Sequence, residues 1–271
     1  SLNDGSPSAG SRRASRLVSS VRPVSRCSRA SVTQPWPRVR IVPRRGRSPR
    51  DHLPVELYDA MRTTGSSRQF TDEPVPDEVL LRILDNARFA GSGGNRQPWR
   101  VIVLRDPQVR RRVAELYAAT WDIYMAGRLR GEVPFHPGWD EPEPPVPHLA
   151  NEFADNLAVR PPVLLLVCAH LGSLAVTDQA LPRQSIVGGA SVYPFVHNVL
   201  LGATNEGLGA VLTTVVARAE PELRELLAIP DDHAVAALVA IGHALDRRTK
   251  LTRKPVHEFA TVDRFDGSPL Q

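Results

Sequence analysis

The chain holds 271 residues and 29.8 kDa, enough for one large domain with a sizeable core and no need of disulfide or metal staples. Hydrophobic residues make up 42% and charged residues 23%, and no apolar run approaches the roughly 20 residues of a membrane span, which excludes a transmembrane-helix protein. The net charge of +5 joins two opposed parts: residues 1–50 carry 12 Arg and a single acid, Asp4, whereas 51–271 carry 22 basic and 28 acidic residues, so nucleic-acid binding is not expected of the body.

Residues 1–50 also hold 11 Ser and 6 Pro with no sustained helical or strand period, a composition that cannot bury enough surface to offset ordering. They read as a disordered N-terminal extension, whether without function, packing on a partner subunit, or serving as a targeting or polyanion-binding segment. From residue 51 the pattern becomes regular. Val55, Leu57, Tyr58 and Met61 suggest a short helix. After Pro76, Val79, Leu80, Ile83, Leu84 and Ala87 recur at helical spacing behind Asp77 and Glu78, which suit a helix start. The Gly91–Gly94 cluster ends that helix, Val101–Leu104 reads as a buried strand, and Pro107 opens a helix through Tyr117. Residues 131–150 contain six prolines and read as an irregular lid. Then follow a strand over Val163–Ala169, a helix over Val187–Glu206, a strand over Leu208–Val216, a short helix over Pro221–Ala228 and a strand over Ala234–Ile241. This alternation predicts one α/β or α+β domain over 51–271.

Generic signatures are absent: no phosphate loop, no strand-linked Gly-x-Gly-x-x-Gly, no His-Glu-x-x-His and no Gly-x-Ser-x-Gly occurs. Cys27 and Cys168 and the eight dispersed His lack ligand spacing, so no metal site is expected. Two segments remain. In Arg62-Thr-Thr-Gly-Ser66-Ser67-Arg68-Gln-Phe70, guanidinium forks, hydroxyls and flexible backbone suit a phosphate, though a solvated basic turn reads the same way. Gly91-Ser92-Gly93-Gly94-Asn95-Arg96-Gln97-Pro98-Trp99 permits close backbone approach to a ligand, with Asn95 and Gln97 amides for a polar ring edge.

Together and in this order the segments resemble the nitroreductase family of FMN-dependent NAD(P)H oxidoreductases, over roughly 55–266. Ser66 to Phe70 is similar to the family's Arg-Arg-Ser-x-Arg-x-Phe element, and Ser92 to Trp99 to its Pro-Ser-x-x-Asn-x-Gln-Pro-Trp element. Gly207 to Thr214 resembles the strand and turn beside the isoalloxazine ring, and Arg253-Lys254-Pro255 a late basic element that returns to the phosphate. The chain departs from the family at Thr64 and Gly65, where arginines are usual, and at Gly91, where proline is usual; each loss loosens FMN binding in expectation.

The resemblance implies an α+β, three-layer α/β/α fold with a mostly antiparallel central sheet flanked by helices. It implies a homodimer with FMN at the subunit interface, the helix from Val187 and the 255–271 arm serving the contact. Cofactor-binding candidates are Arg62, Ser66, Ser67, Arg68, Ser92, Gly93, Gly94, Asn95, Gln97, Leu212, Thr213, Thr214, Arg253 and Lys254. Trp121, Tyr124, Phe135 and Trp139 are candidates to wall the substrate face, plain packing of a long insertion being the alternative. Arg96 is a further candidate at the ring's N1/O2 edge. The implied chemistry is hydride transfer from NAD(P)H to flavin N5 and onward, in a ping-pong cycle, to a nitroaromatic, quinone or similar conjugated acceptor. No side chain is then the redox catalyst. A cytoplasmic location is expected. Flavin fragmentation or reductive dehalogenation on the same fold, and a non-catalytic flavin protein with a nucleic-acid-binding tail, are the competing readings.

Overall fold

The computed structural model describes residues 55–143, 145–246 and 250–270; the expectation for residues 1–50 lies outside them. Among the described residues four strands make one sheet: β1 (Trp99–Val103), β2 (Val163–His170), β3 (Gly209–Thr213) and β4 (His233–Gly242), in the order β1-β2-β4-β3 with every neighbouring pair antiparallel. Six α-helices among the same residues accompany it: α1 (Leu57–Thr63), α2 (Asp77–Ala87), α3 (Pro107–Leu129), α4 (Glu152–Asn156), α5 (Tyr193–Asn205) and α6 (Glu220–Leu227).

The central strand explains the layering. Successive side chains of a strand point to opposite faces, and β2 is apolar on both. Leu164, Leu166 and Cys168 enter one core with Val113 and Tyr117 of α3, Phe153 of α4 and Leu223 of α6. Val163, Leu165, Val167 and Ala169 enter the other with Leu80 and Ile83 of α2 and Phe195, Val196 and Val199 of α5. Helices therefore cover both faces, giving the three layers of the α+β class. Each fully buried Leu or Ile contributes about 1.5–3 kcal/mol.

One irregularity keeps the parity correct. Val167 pairs with Ala237 but Cys168 pairs with Val235, so Ala236 is an extra residue on β4. This bulge turns Val235 into the same core as Leu238 and Ala240. Helix starts follow local chemistry: Asp106 caps α3 by accepting from the Gln108 and Val109 N–H groups, with Pro107 at the first turn.

Four elements differ from expectation. The helix expected over Val187–Glu206 is a 3₁₀ turn, Val187–Ser191, followed by α5, with a break at Val192 (φ −118°, ψ −52°). Pro194 has no N–H to donate backward and so belongs in a first turn, while the Tyr193 ring occupies the space that a Cβ on Gly189 would take, 2.8 Å away. The strand expected to Val216 stops at Thr213, because the 3₁₀ turn Val215–Ala219 buries Val216 and Ala219 instead. Helix α3 runs on to Leu129, about three turns past the apolar stripe that signalled it, and α4 had no periodic signal at all.

Candidate functional site

Ser66 to Phe70 is an extended segment laid along the free side of β3. Ser66 bridges Ala210 in parallel, the Ser67 N–H donates to Ala210 O at 3.0 Å, and Phe70 bridges Ala244 beyond β4. The approach depends on Gly209: a Cβ there would stand 2.7 Å from Ser67 Oγ and 2.6 Å from the Ala244 Cβ. Ser67 and Phe70 are buried, which leaves Ser66, Arg68 and Gln69 on the open side.

Arg68 borders two small clefts. One, of about 230 Å³, is lined by Ser66, Arg68, Gln69, Asn151, Glu152, Phe153 and Asp246; the other, of about 120 Å³, includes Arg160, Asn156 and Leu245. Burial pushes the Tyr117 phenol up, while the Thr213 hydroxyl and the Arg68 charge pull it the other way, so all three share one neighbourhood. Leu212 and Thr213 end β3 half-buried, and Thr214 is exposed. This edge brings a guanidinium, hydroxyls and strand-end backbone together, donors suited to an oxyanion and to the polar rim of a flat ring.

The Ser92–Gln97 loop is tightly built and faces outward. Gly94, Asn95 and Gln97 have φ of 62°, 54° and 48°, a left-handed conformation that is costly for Gln. Ser92 Oγ accepts the Gln97 N–H at 3.0 Å, Asn95 Oδ1 accepts from Gln97 Nε2 at 3.1 Å, and Ser191 Oγ accepts the Gly93 N–H at 3.0 Å. Trp99 anchors the loop by stacking on Phe195, ring centroids 4.8 Å apart. Yet the loop stands at β1 and Ser66–Arg68 at β3, the opposite edges of the sheet. Three strand spacings, about 14 Å, separate those edges. One copy of the chain does not bring its two candidate segments together.

The four aromatic candidates do meet. Trp121 and Tyr124 lie 5.3 Å apart, Tyr124 and Phe135 6.0 Å, Phe135 and Trp139 5.3 Å, and Tyr117 joins the ladder to Trp121 at 6.3 Å. Trp139 is seated by Gly127, whose missing Cβ would lie 2.4 Å from its ring, and its Nε1 donates to Glu132 at 2.7 Å. Arg130 and that indole hold the Glu132 carboxyl below its usual range. Arg62 lies exposed at the end of α1, and Arg253 and Lys254 lie exposed beyond β4, the Arg253 guanidinium donating to Thr252 O at 2.8 Å. Sequence reasoning passed over Tyr117, Gly127 and Glu132. Tyr117, Trp121 and Tyr124 sit at i, i+4 and i+7, a shared helix face that was the available signal.

The Nitroreductase family model matches residues 61–243, well over half of the chain. The chain belongs to the nitroreductase family. Among relatives of this nitroreductase-family chain, an iodotyrosine deiodinase of Nematostella vectensis is 27% identical over 210 residues, covering 77% of this chain and 75% of that protein. A nitrobenzene nitroreductase of Ectopseudomonas oleovorans is 27% identical over 225 residues, covering 76% and 96%. Among solved structures, the NADPH:FMN oxidoreductase of Vibrio harveyi, complexed with NAD+, superposes with a TM-score of 0.56 at 18% identity over 77% of each chain, a likeness of fold. Among the described residues no helix is long and apolar enough to cross a membrane, and no cluster of three or more His, Cys, Asp or Glu is placed to hold a metal.

Proposed function

We propose that the chain is an FMN-dependent oxidoreductase, active as a homodimer, that takes reducing equivalents from NAD(P)H and passes them to a nitroaromatic, quinone or similar conjugated acceptor. The observation that carries this reading is the donor row Ser66, Arg68 and Thr213 along β3, open because Gly209 lacks a Cβ. The chemistry of that set fits a phosphorylated flat ring. When bound, FMN supplies the electron transfer that no side chain provides.

The remaining work belongs to the chain's own residues. Ser66 and Arg68, with Arg253, Lys254 and Arg62, hold the phosphate; Ser67 seats the segment on Gly209. Leu212, Thr213 and Thr214 meet the ring at the end of β3. The outward Ser92, Gly93, Gly94, Asn95 and Gln97 serve the site of a second copy, which accounts for their distance from Arg68 within one chain. Trp121, Tyr124, Phe135 and Trp139 shield the acceptor from water. A second reading, reductive dehalogenation, is favoured by the similarity to the deiodinase along 77% of the chain.

The test is the visible spectrum of the purified full chain, first with added FMN and then, without oxygen, with NADPH or NADH. Flavin bands that bleach with a nicotinamide support the reading, and failure to retain FMN overturns it. Nitrobenzene consumption against iodide release from iodotyrosine separates the two chemistries. Arg68→Ala with Arg253→Ala should weaken FMN binding about tenfold to a hundredfold per lost charge-assisted bond, with the circular dichroism unchanged; stoichiometric flavin in that variant would place the phosphate elsewhere.

A further inference from the structure

The strap 131–150 is fastened to the body at three places. Near its start Trp139 lies on Gly127 and donates to Glu132, which pairs with Arg130. In its middle Glu141 pairs with Arg218 of the 3₁₀ turn that follows Thr214. At its return His148 stands between carboxylates from two helices, Nδ1 3.0 Å from Asp122 of α3 and Nε2 3.3 Å from Asp155 of α4.

The third fastening differs in kind. Asp122 is only 7% exposed, and its other oxygen accepts the Leu149 N–H at 2.9 Å. A carboxylate so enclosed requires a partner. Asp155 is freer and also accepts the Asn151 N–H at 3.0 Å. Asp122 and Asp155 are the charged groups that face the imidazole, one from each element packed against it. An imidazolium has two N–H donors and a neutral imidazole only one. Only the cation can donate to both carboxylates at once.

We propose that His148 is a positioning residue, a proton-operated clasp that fastens the return of the strap to α3 and α4 when charged and releases α4 when neutral. The hydrogen bond and charge of Asp122, with the Asp155 charge behind them, raise the His148 pKa above its ordinary value. The clasp is therefore complete below the ordinary imidazole range and is lost as pH rises through the raised value. The other two fastenings, at Trp139 and at Glu141, do not depend on this proton, so the change is confined to the return of the strap and α4.

Amide hydrogen exchange on the full-length protein, corrected for the intrinsic pH dependence, tests this without reference to cofactor or activity. Between about pH 5.5 and 8.5, protection at 145–151 should fall about threefold, the scale of an exposed ion pair, while the β2 amides stay constant. His148→Gln should show the loosened level at both pH values, and His148→Arg, a cation throughout, the protected level at both. A wild-type protein without this dependence, or a His148→Gln protein that keeps it, overturns the proposal. The imidazole resonances of the wild-type protein give a check that needs no variant: a His148 pKa at or below about 6.5 also overturns it.

Discussion

At the scale of the residue, the position of the donor row rests on an atom that is missing. Ser66 and Arg68 reach the edge of β3 because Gly209 leaves room for Ser67 and Ala244. Gly209→Ala should therefore destabilise the fold by about 1–3 kcal/mol, as overpacking does, and lower FMN affinity together with it. Urea unfolding and a flavin titration measure the two effects. Gly91→Ala is the control, since a Cβ there meets nothing within 4 Å, and its stability should change by less than about 0.5 kcal/mol. The residues of the row were visible as residue types in the sequence. Their dependence on Gly209 was not, because 143 positions of chain separate Ser66 from Gly209 and only the sheet brings them together.

At the scale of the element, the connection from β2 to α5 shows how a loop without periodicity is held. Asp178 accepts from Arg183 at 2.8 Å, from Ser185 Oγ at 2.7 Å and from the Ile186 N–H at 3.0 Å. These bonds, the Ile186 N–H foremost, hold its carboxyl well below the usual carboxylate range. A depressed native pKa adds stability above the unfolded value of about 4 that is lost as pH falls toward the native one. Protection of the Ile186 amide, relative to its intrinsic rate, should thus hold at pH 4 to 5 and fall in stronger acid, and Asp178→Asn should lower it at neutral pH. Unchanged exchange in that variant would remove Asp178 as the pin. Strongly patterned elements such as α2 and β2 were readable in the sequence because burial and period coincide. The stop of β3 at Thr213 and the break at Val192 were not, since a 3₁₀ turn and a strand present similar apolar runs and the packing of Val216 decides between them.

At the scale of the whole molecule, two segments among the described residues leave large apolar side chains uncovered. Phe265 is fully exposed, and Phe259, Val256 and Leu270 are more than half exposed along 250–270, as are Leu57, Tyr58 and Met61 on α1. Exposed apolar side chains grouped in this way mark interaction sites, and in the proposed homodimer the outward Ser92–Gln97 loop would meet the same partner. Sedimentation of the full chain should give twice the monomer mass of 29.8 kDa; a monomer at micromolar concentration would contradict the shared site. The sequence by itself determined the class of fold, through β2, apolar from Val163 to Ala169 and therefore covered on both faces, and it determined the family through short motifs whose residue types suit phosphate and ring. Only the tertiary structure decided that the Ser66 and Ser92 segments lie at opposite edges of the sheet, that Tyr117 joins the donor row to the aromatic ladder, and that His148 stands between Asp122 and Asp155. Local pattern records which faces are buried; strand order and long-range contacts decide which residues meet there.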